Sequence, residues 1–224
     1  MCYSMLVEQD LKKLSVDFAA EIDHDAFARY TRMSQENPKK FKLLAENPRI
    51  YPNYFAPIVT LHKGQRLITP MRYRVRPHGS DNEVPSKYNM FNARIDSLQS
   101  RQSWKPLFMR QHGLLAFQGF YEWVARPKGK QVILIRPQSQ KTLAAPIIFD
   151  TWISTDKSTG FASFAVITRD PPKEVLDAGH DRCPITLEKG SWDSWLRCEG
   201  TANSMIQSID VPARETFSWA NDKP

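Results

Sequence analysis

Cys2 carries the most unusual chemical potential in the chain. With so small a side chain in second position the initiator Met1 is removed, and the new N-terminus then bears an α-amine and a thiol on neighbouring carbons, a 1,2-aminothiol. An α-amine of pKa ~7.8 is about 14% neutral at pH 7, against roughly 0.04% for a lysine of pKa ~10.4, so it adds to a carbonyl far more readily. The adjacent thiolate can then capture the resulting imine in a five-membered thiazolidine ring, a closure that a lysine cannot make. The electrophile that suits this pair is an aldehyde. Taken by itself, Cys2 reads first as an ordinary residue of a first strand.

Other residues are of the right type to assist. Asn92 offers a donor and an acceptor in one amide, Glu122 a carboxylate, and His180 an imidazole directly after Gly179. Each also has an everyday reading. Asn92 suits a turn before a strand. Glu122, between Tyr121 and Trp123, would point to solvent from a strand that gives its aromatics to the core. His180 would sit in a loop beside an aspartate. Arg72, Arg74 and Arg76 recur at period two, so an extended chain would align them on one face as a track for a phosphate backbone. Tyr73, Tyr88, Phe91 and Trp104 lie nearby and could stack on unpaired bases; solvated arginines and core aromatics are the equal alternative. Trp192 and Trp195, three residues apart, read as core.

These residues need a frame. At 224 residues and 25.9 kDa the chain suits a single domain. With 41% hydrophobic and 25% charged residues it is neither disordered nor low in complexity. Its longest apolar runs, such as Leu143 to Phe149, fall well short of the ~20 residues that span a bilayer. Met1 to Asp10 lacks the basic and apolar regions of a secretory signal, so a cytoplasmic location is expected. Three cysteines, Cys2, Cys183 and Cys198, cannot all pair, and the five histidines form no zinc pattern with them, so neither disulfides, a metal nor a cofactor is expected. A net charge of +7 and a pI near 9.3 favour anionic partners such as nucleic acid.

The first part of the chain has helical spacing over Leu11 to Phe18 and His24 to Met33, continuing from Glu36 to Glu46. From Tyr51 the texture turns to β runs: Phe55 to Leu61, Arg66 to Tyr73, Leu114 to Phe117, Gln131 to Arg136, Thr142 to Phe149 and Phe161 to Thr168. A helical pair follows at Glu188 to Arg197 and Ala202 to Ser208. Helices gathered at both ends of a strand-rich middle indicate an α+β domain, with one mixed, mostly antiparallel, barrel-like sheet flanked by helices.

Five segments, in order, carry a resemblance. Met1 to Tyr3, the NYFAP of Asn53 to Pro57, the NAR of Asn92 to Arg94, the GFYEW of Gly119 to Trp123, and Ala165 to Leu187 with His180, Asp181, Arg182 and Pro184 are together similar to the SRAP family. These are the SOS-response-associated peptidases, or abasic-site processing proteins. The resemblance covers nearly the whole chain and implies one SRAP-like domain over 1–224 with a helical insertion around 17–50, active as a monomer. It implies capture of abasic sites in single-stranded DNA as a covalent thiazolidine through Cys2, after autocatalytic removal of Met1. On the same ground Asn92 holds the new N-terminus, Glu122 is the acid/base that opens the furanose ring, His180 shuttles protons, and Arg94 and Arg182 contact phosphate. Many members begin Met-Cys-Gly-Arg where this chain has Tyr3 and Ser4, and carry tryptophans where Tyr73 to Pro85 has none; both differences bear on DNA recognition rather than on the covalent chemistry. The competing readings are a peptidase with an N-terminal cysteine nucleophile and a basic module that binds single strands reversibly.

Overall fold

The computed structural model describes residues 3–43, 48–127, 129–211 and 215–222. The chain opens with a four-residue strand, β1 (Ser4–Val7), then α1 (Leu11–Phe18), β2 (Glu21–Ile22) and α2 (His24–Glu36). Asp10 starts α1 by accepting from the backbone N–H of Lys12 and Lys13, and Asp23 starts α2 by accepting from Ala26, the usual remedy for the unpaired amides of a first turn. The helical texture expected from Glu36 to Glu46 is not a helix. α2 stops at Glu36, because Asn37 leaves helical geometry and Pro38 has no N–H to continue the ladder; residues 44–47 lie outside the described residues. The 17–50 stretch thus holds one long helix between two short strands, β2 and β3 (Arg49–Ile50).

The strand-rich middle follows as β4 (Phe55–His62), β5 (Gln65–Tyr73), β6 (Asn92–Arg94), β7 (His112–Arg126), β8 (Gly129–Pro137), β9 (Leu143–Ile153) and β10 (Gly160–Arg169). The C-terminal part adds α3 (Lys173–Asp177), β11 (Cys183–Pro184), α4 (Trp192–Arg197), α5 (Ala202–Ile209) and β12 (Phe217–Asn221). Most pairings are antiparallel; β10 runs parallel to β5 and to β6, and β2 parallel to β5. Successive pairings of β4 with β5, β5 with β10, β10 with β9, β9 with β7 and β7 with β4 close a ring of five strands.

Closure explains the long unbroken apolar runs, since a ring covered on its outside has two dry faces. Neighbours in sequence divide between two cores. Val59, Leu114, Ala116, Ile148 and Ile167 join the helical residues Leu14, Phe18, Trp192 and Trp195. Ile58, Leu115, Phe117, Ile147 and Val166 pack with Met5, Tyr73, Phe120 and Ile133 on the face that closure turns inward. Trp192 and Trp195 are buried, as their spacing predicts. Among the described residues no helix is long and apolar enough to cross a membrane, and no three His, Cys, Asp or Glu side chains gather as a metal site.

Candidate active site

β7 leaves the ring at Gly119 and carries on between β1 and β8, so that Ser4 stands opposite Tyr121 and Ile133 opposite Glu122. The passage is tight: a Cβ on Gly119 would lie 2.7 Å from the carbonyl oxygen of Ile135, and the β1–β7 register slips between Leu6 and Val7. Beyond that point alternation places Phe120, Glu122 and Val124 on one buried face. The reading of Glu122 as a solvent-facing strand residue is therefore corrected: its side chain is 3% exposed, and it is Trp123, at 57%, that faces water. Tyr121 stays covered because the Arg49 guanidinium lies 3.6 Å over its ring.

His180 reaches Glu122 from the far end of the sequence. α3 buries Val175, with Ala178 just beyond it, in the inner core, and Gly179 then turns the chain with φ +101°, a conformation glycine adopts without a Cβ clash. Arg126, at the end of β7, donates to the Ala178 carbonyl at 3.1 Å and ties this loop to the strand that bears Glu122. His180 Nε2 stands 2.8 Å from Glu122 Oε2, with both side chains buried. Its Nδ1 lies 2.9 Å from the carbonyl oxygen of Arg182 and 3.2 Å from the backbone N–H of the same residue. One backbone unit thus serves either tautomer, as donor to Nδ1 or as acceptor from it. The Glu122–Nε2 contact lies where little water reaches, a setting that strengthens the hydrogen bond between the two side chains.

Asn92 starts β6, opposite Val166 of β10. Asn89 forms a turn in front of it by accepting from the N–H of Phe91 and of Asn92 at 3.1 and 3.0 Å, and the fully buried Tyr73 donates its hydroxyl to Asn92 Oδ1 at 3.2 Å. Two residues along the same strand, Arg94 is held by Asp96 and comes within 3.9 Å of Asp170. Asp170 also accepts from Arg182 at 3.0 Å. Asn92, Arg94, Arg182, His180 and Glu122 therefore form one connected series around the end of β10, with the two guanidinium groups drawn to one exposed carboxylate.

Cys2 lies outside the described residues. Next to it in sequence, Tyr3 sets its ring edge-on to Phe91 at 5.9 Å and to Tyr51 at 6.1 Å, and Ser4 accepts from Arg49 at 3.0 Å. The other two cysteines are quiet. Burial pushes the Cys183 thiol far up and that of Cys198 to about 11.

Arg72 and Arg74 are not part of this series, and the period-two track is corrected. β5 ends at Tyr73, and Arg74 turns the chain with φ +117°. Arg72 is 3% exposed and pairs with Glu83 through two hydrogen bonds, at 2.7 and 3.1 Å, while Arg74 donates to the Val84 carbonyl. Of the four aromatics considered for stacking, Tyr73, Phe91 and Trp104 are core and Tyr88 alone is exposed. Trp123, which sequence reasoning assigned to the core, is instead an exposed ring of β7, because the burial of Glu122 turns its strand neighbour outward.

A family model described as SOS response associated peptidase (SRAP) matches residues 1–221. The chain is 24% identical over 139 residues to the abasic site processing protein YoqW of Bacillus subtilis, a match covering 62% of this chain and 60% of that one. It is 28% identical over 175 residues to the abasic site processing protein HMCES of Gallus gallus, covering 68% and 49%. It thus spans about 60% of the length of the first relative and about half of the second. In fold it is similar to a solved protein of Bacteroides thetaiotaomicron, with a TM-score of 0.78 at 16% identity over 99% of this chain and 92% of that one. A structure from Bordetella bronchiseptica matches at a TM-score of 0.74 over the whole of both chains. With the model matched over nearly its whole length, the chain belongs to the SOS response associated peptidase (SRAP) family.

Proposed function

We propose that this chain, once freed of Met1 by its own hydrolysis of the Met1–Cys2 bond, processes abasic sites in single-stranded DNA by linking itself to them through a thiazolidine at Cys2. The link shields the damaged strand. The observation that carries this reading is the buried Glu122–His180 pair, 2.8 Å apart, beside the strand that leads back to Cys2. Ser4 is opposite Tyr121, the neighbour of Glu122, and Tyr3 packs on Phe91, the neighbour of Asn92. Two residues span at most about 7 Å, and crosslinking requires Cys2 to meet both within that span of Ser4. The names of the relatives, abasic site processing proteins, support the same substrate.

The steps balance as follows. An abasic sugar is a hemiacetal; proton donation to its ring oxygen, with loss of the C1′ hydroxyl proton, breaks the C1′–O4′ bond and exposes the aldehyde. Glu122 and His180 supply and take up those protons. The Cys2 α-amine adds to C1′, the carbinolamine loses water, and the thiolate adds to the imine carbon while nitrogen takes a proton. One water is released per crosslink and no oxidant is needed. Asn92 holds the amine in line, and Arg94 and Arg182 exchange Asp170 for strand phosphates.

The test is a denaturing gel of the protein, its N-terminus verified by intact mass, with single-stranded DNA bearing one abasic site. A slow band is expected that requires both Cys2 and the abasic site, and that Glu122→Gln slows by roughly 100-fold with undamaged-strand affinity unchanged. Absence of the band from protein lacking Met1 overturns the reading.

A further inference from the structure

Arg72 and Tyr73 are consecutive on β5, so their side chains leave opposite faces of the sheet. Tyr73 meets Asn92; Arg72 goes to the back, with its guanidinium 4.4 Å from the centre of the Phe161 ring. There Arg72 and Arg76 converge on one carboxylate, while Arg74 is bonded to the Val84 carbonyl. Glu83 accepts two hydrogen bonds from Arg72 and stands 3.5 Å from Arg76, and its own carboxyl is held low by Arg72, Arg76 and Arg74 against its burial. Two buried guanidinium groups on one carboxylate leave positive charge over in a poorly solvated place, an arrangement that invites a second anion. Burial, with a contribution from Arg72, holds Arg74 and Arg76 below the usual arginine range.

Two further observations point to a ligand. The Nε–H groups of Arg72 and Arg76 are buried and meet no acceptor among the described residues. Both arginines and Lys40 line a cavity of about 240 Å³. Its wall is fixed, since Trp152 lies 3.4 Å beneath the Arg76 guanidinium and donates its indole N–H to the Ser80 carbonyl. Asp156 also lines the cavity, its carboxylate held ionised by the hydroxyls of Ser154 and Ser158 in its own turn, so that Lys40, Arg72 and Arg76 face Glu83 and Asp156 with one positive charge left over.

We propose that this pocket is a second binding site, for the phosphate group of a phosphate ester. Guanidinium forks match phosphate oxygens, and the volume is several times the ~30 Å³ share of a water in the liquid, leaving room for the attached sugar. Glu83 occupies part of the place such an oxyanion takes. The site is separate from the Glu122 centre and lies on the other face of β5.

Isothermal titration of inorganic phosphate into the whole chain, at ionic strength fixed with chloride, tests it. Saturable binding is expected, weakened at least about tenfold in Arg76→Gln, which loses a charge-assisted contact. Glu83→Gln removes the competing anion and should tighten binding by a comparable factor, while Glu122→Gln should leave it unchanged. Heats no different from those of chloride in the wild type and in natively folded Glu83→Gln overturn the proposal, as does equal loss in Glu122→Gln. Competition by a mononucleotide identifies a free ester as the source, and competition by an undamaged oligonucleotide identifies a strand.

Discussion

Trp123 puts a large apolar ring in water beside a carboxylate that is dry, and the two facts have one cause. Consecutive strand residues face opposite ways, so drawing Glu122 inward to His180 drives Trp123 out. The indole stands on the face of β7 opposite Glu122; if a bound strand passes over that face, stacking of an unpaired base on it contributes about 1–3 kcal/mol per base. Trp123→Ala should therefore weaken binding to undamaged single strands by about tenfold, with the unfolding midpoint nearly unmoved because the ring supports no core. Anisotropy of a labelled oligonucleotide checks it, and unchanged affinity would remove Trp123 from the strand path. Residue types alone left Asn92, Glu122 and His180 with everyday readings beside the functional one, and it was their occurrence with Cys2 in the family's segments that singled them out. Neither indicated that Arg72 is spoken for, since its partner Glu83 lies in a stretch without periodicity, where no pattern foretells a contact.

β7 shows what was legible at the level of elements. Leu114 to Phe117 reads as a short strand because Gln118 and Gly119 interrupt the apolar run, yet the strand continues to Arg126 and gains its length from partners on both edges, β4, β9, β1 and β8. The longer runs of β4, β5, β8, β9 and β10 carry enough β-branched and apolar residues to declare themselves within a few positions. Two-residue β2, β3 and β11 do not, because pairing with a distant strand defines them and nothing local does. Gly119 is where the long strand is most constrained. Gly119→Ala brings a methyl to 2.7 Å from the Ile135 carbonyl, backbone that cannot yield without parting β7 from β8. A loss of about 1–3 kcal/mol in urea unfolding is expected, together with slower crosslinking, because Glu122 lies on the displaced segment. A neutral effect on both would mean that the strands slide apart freely.

His112 joins the ring to the C-terminal helices. Its ring stacks 3.6 Å from that of Trp195, its Nδ1–H donates to the Trp195 carbonyl at 2.7 Å, and its Nε2 accepts from the Met109 N–H at 3.2 Å. Both nitrogens are matched only in the neutral form, and burial lowers its pKa from 6.5 to about 4. Between those values the unfolded chain binds a proton that the native one refuses, so stability falls as pH drops from about 6.5 towards 4, by up to about 3 kcal/mol. Denaturant unfolding at pH 7 and pH 4.5 should show the loss, and His112→Phe should flatten that slope; an equal slope in the variant would assign it to other groups. A single guanidinium meanwhile gathers both edges of the chain: Arg49 donates to Ser4 at 3.0 Å and to Asp222 at 2.6 Å. With Ser4 and Asp222 held this close, the segments that carry them can be joined through a short glycine–serine linker and the chain reopened in the exposed turn at Asp156 and Lys157, a circular permutation that keeps the strand pairings of the described residues. Such a molecule would fold with its acid, imidazole and arginines in place while Cys2 became an interior residue without an α-amine. On the proposed chemistry, fold and crosslinking are thereby separable by a change of connectivity alone.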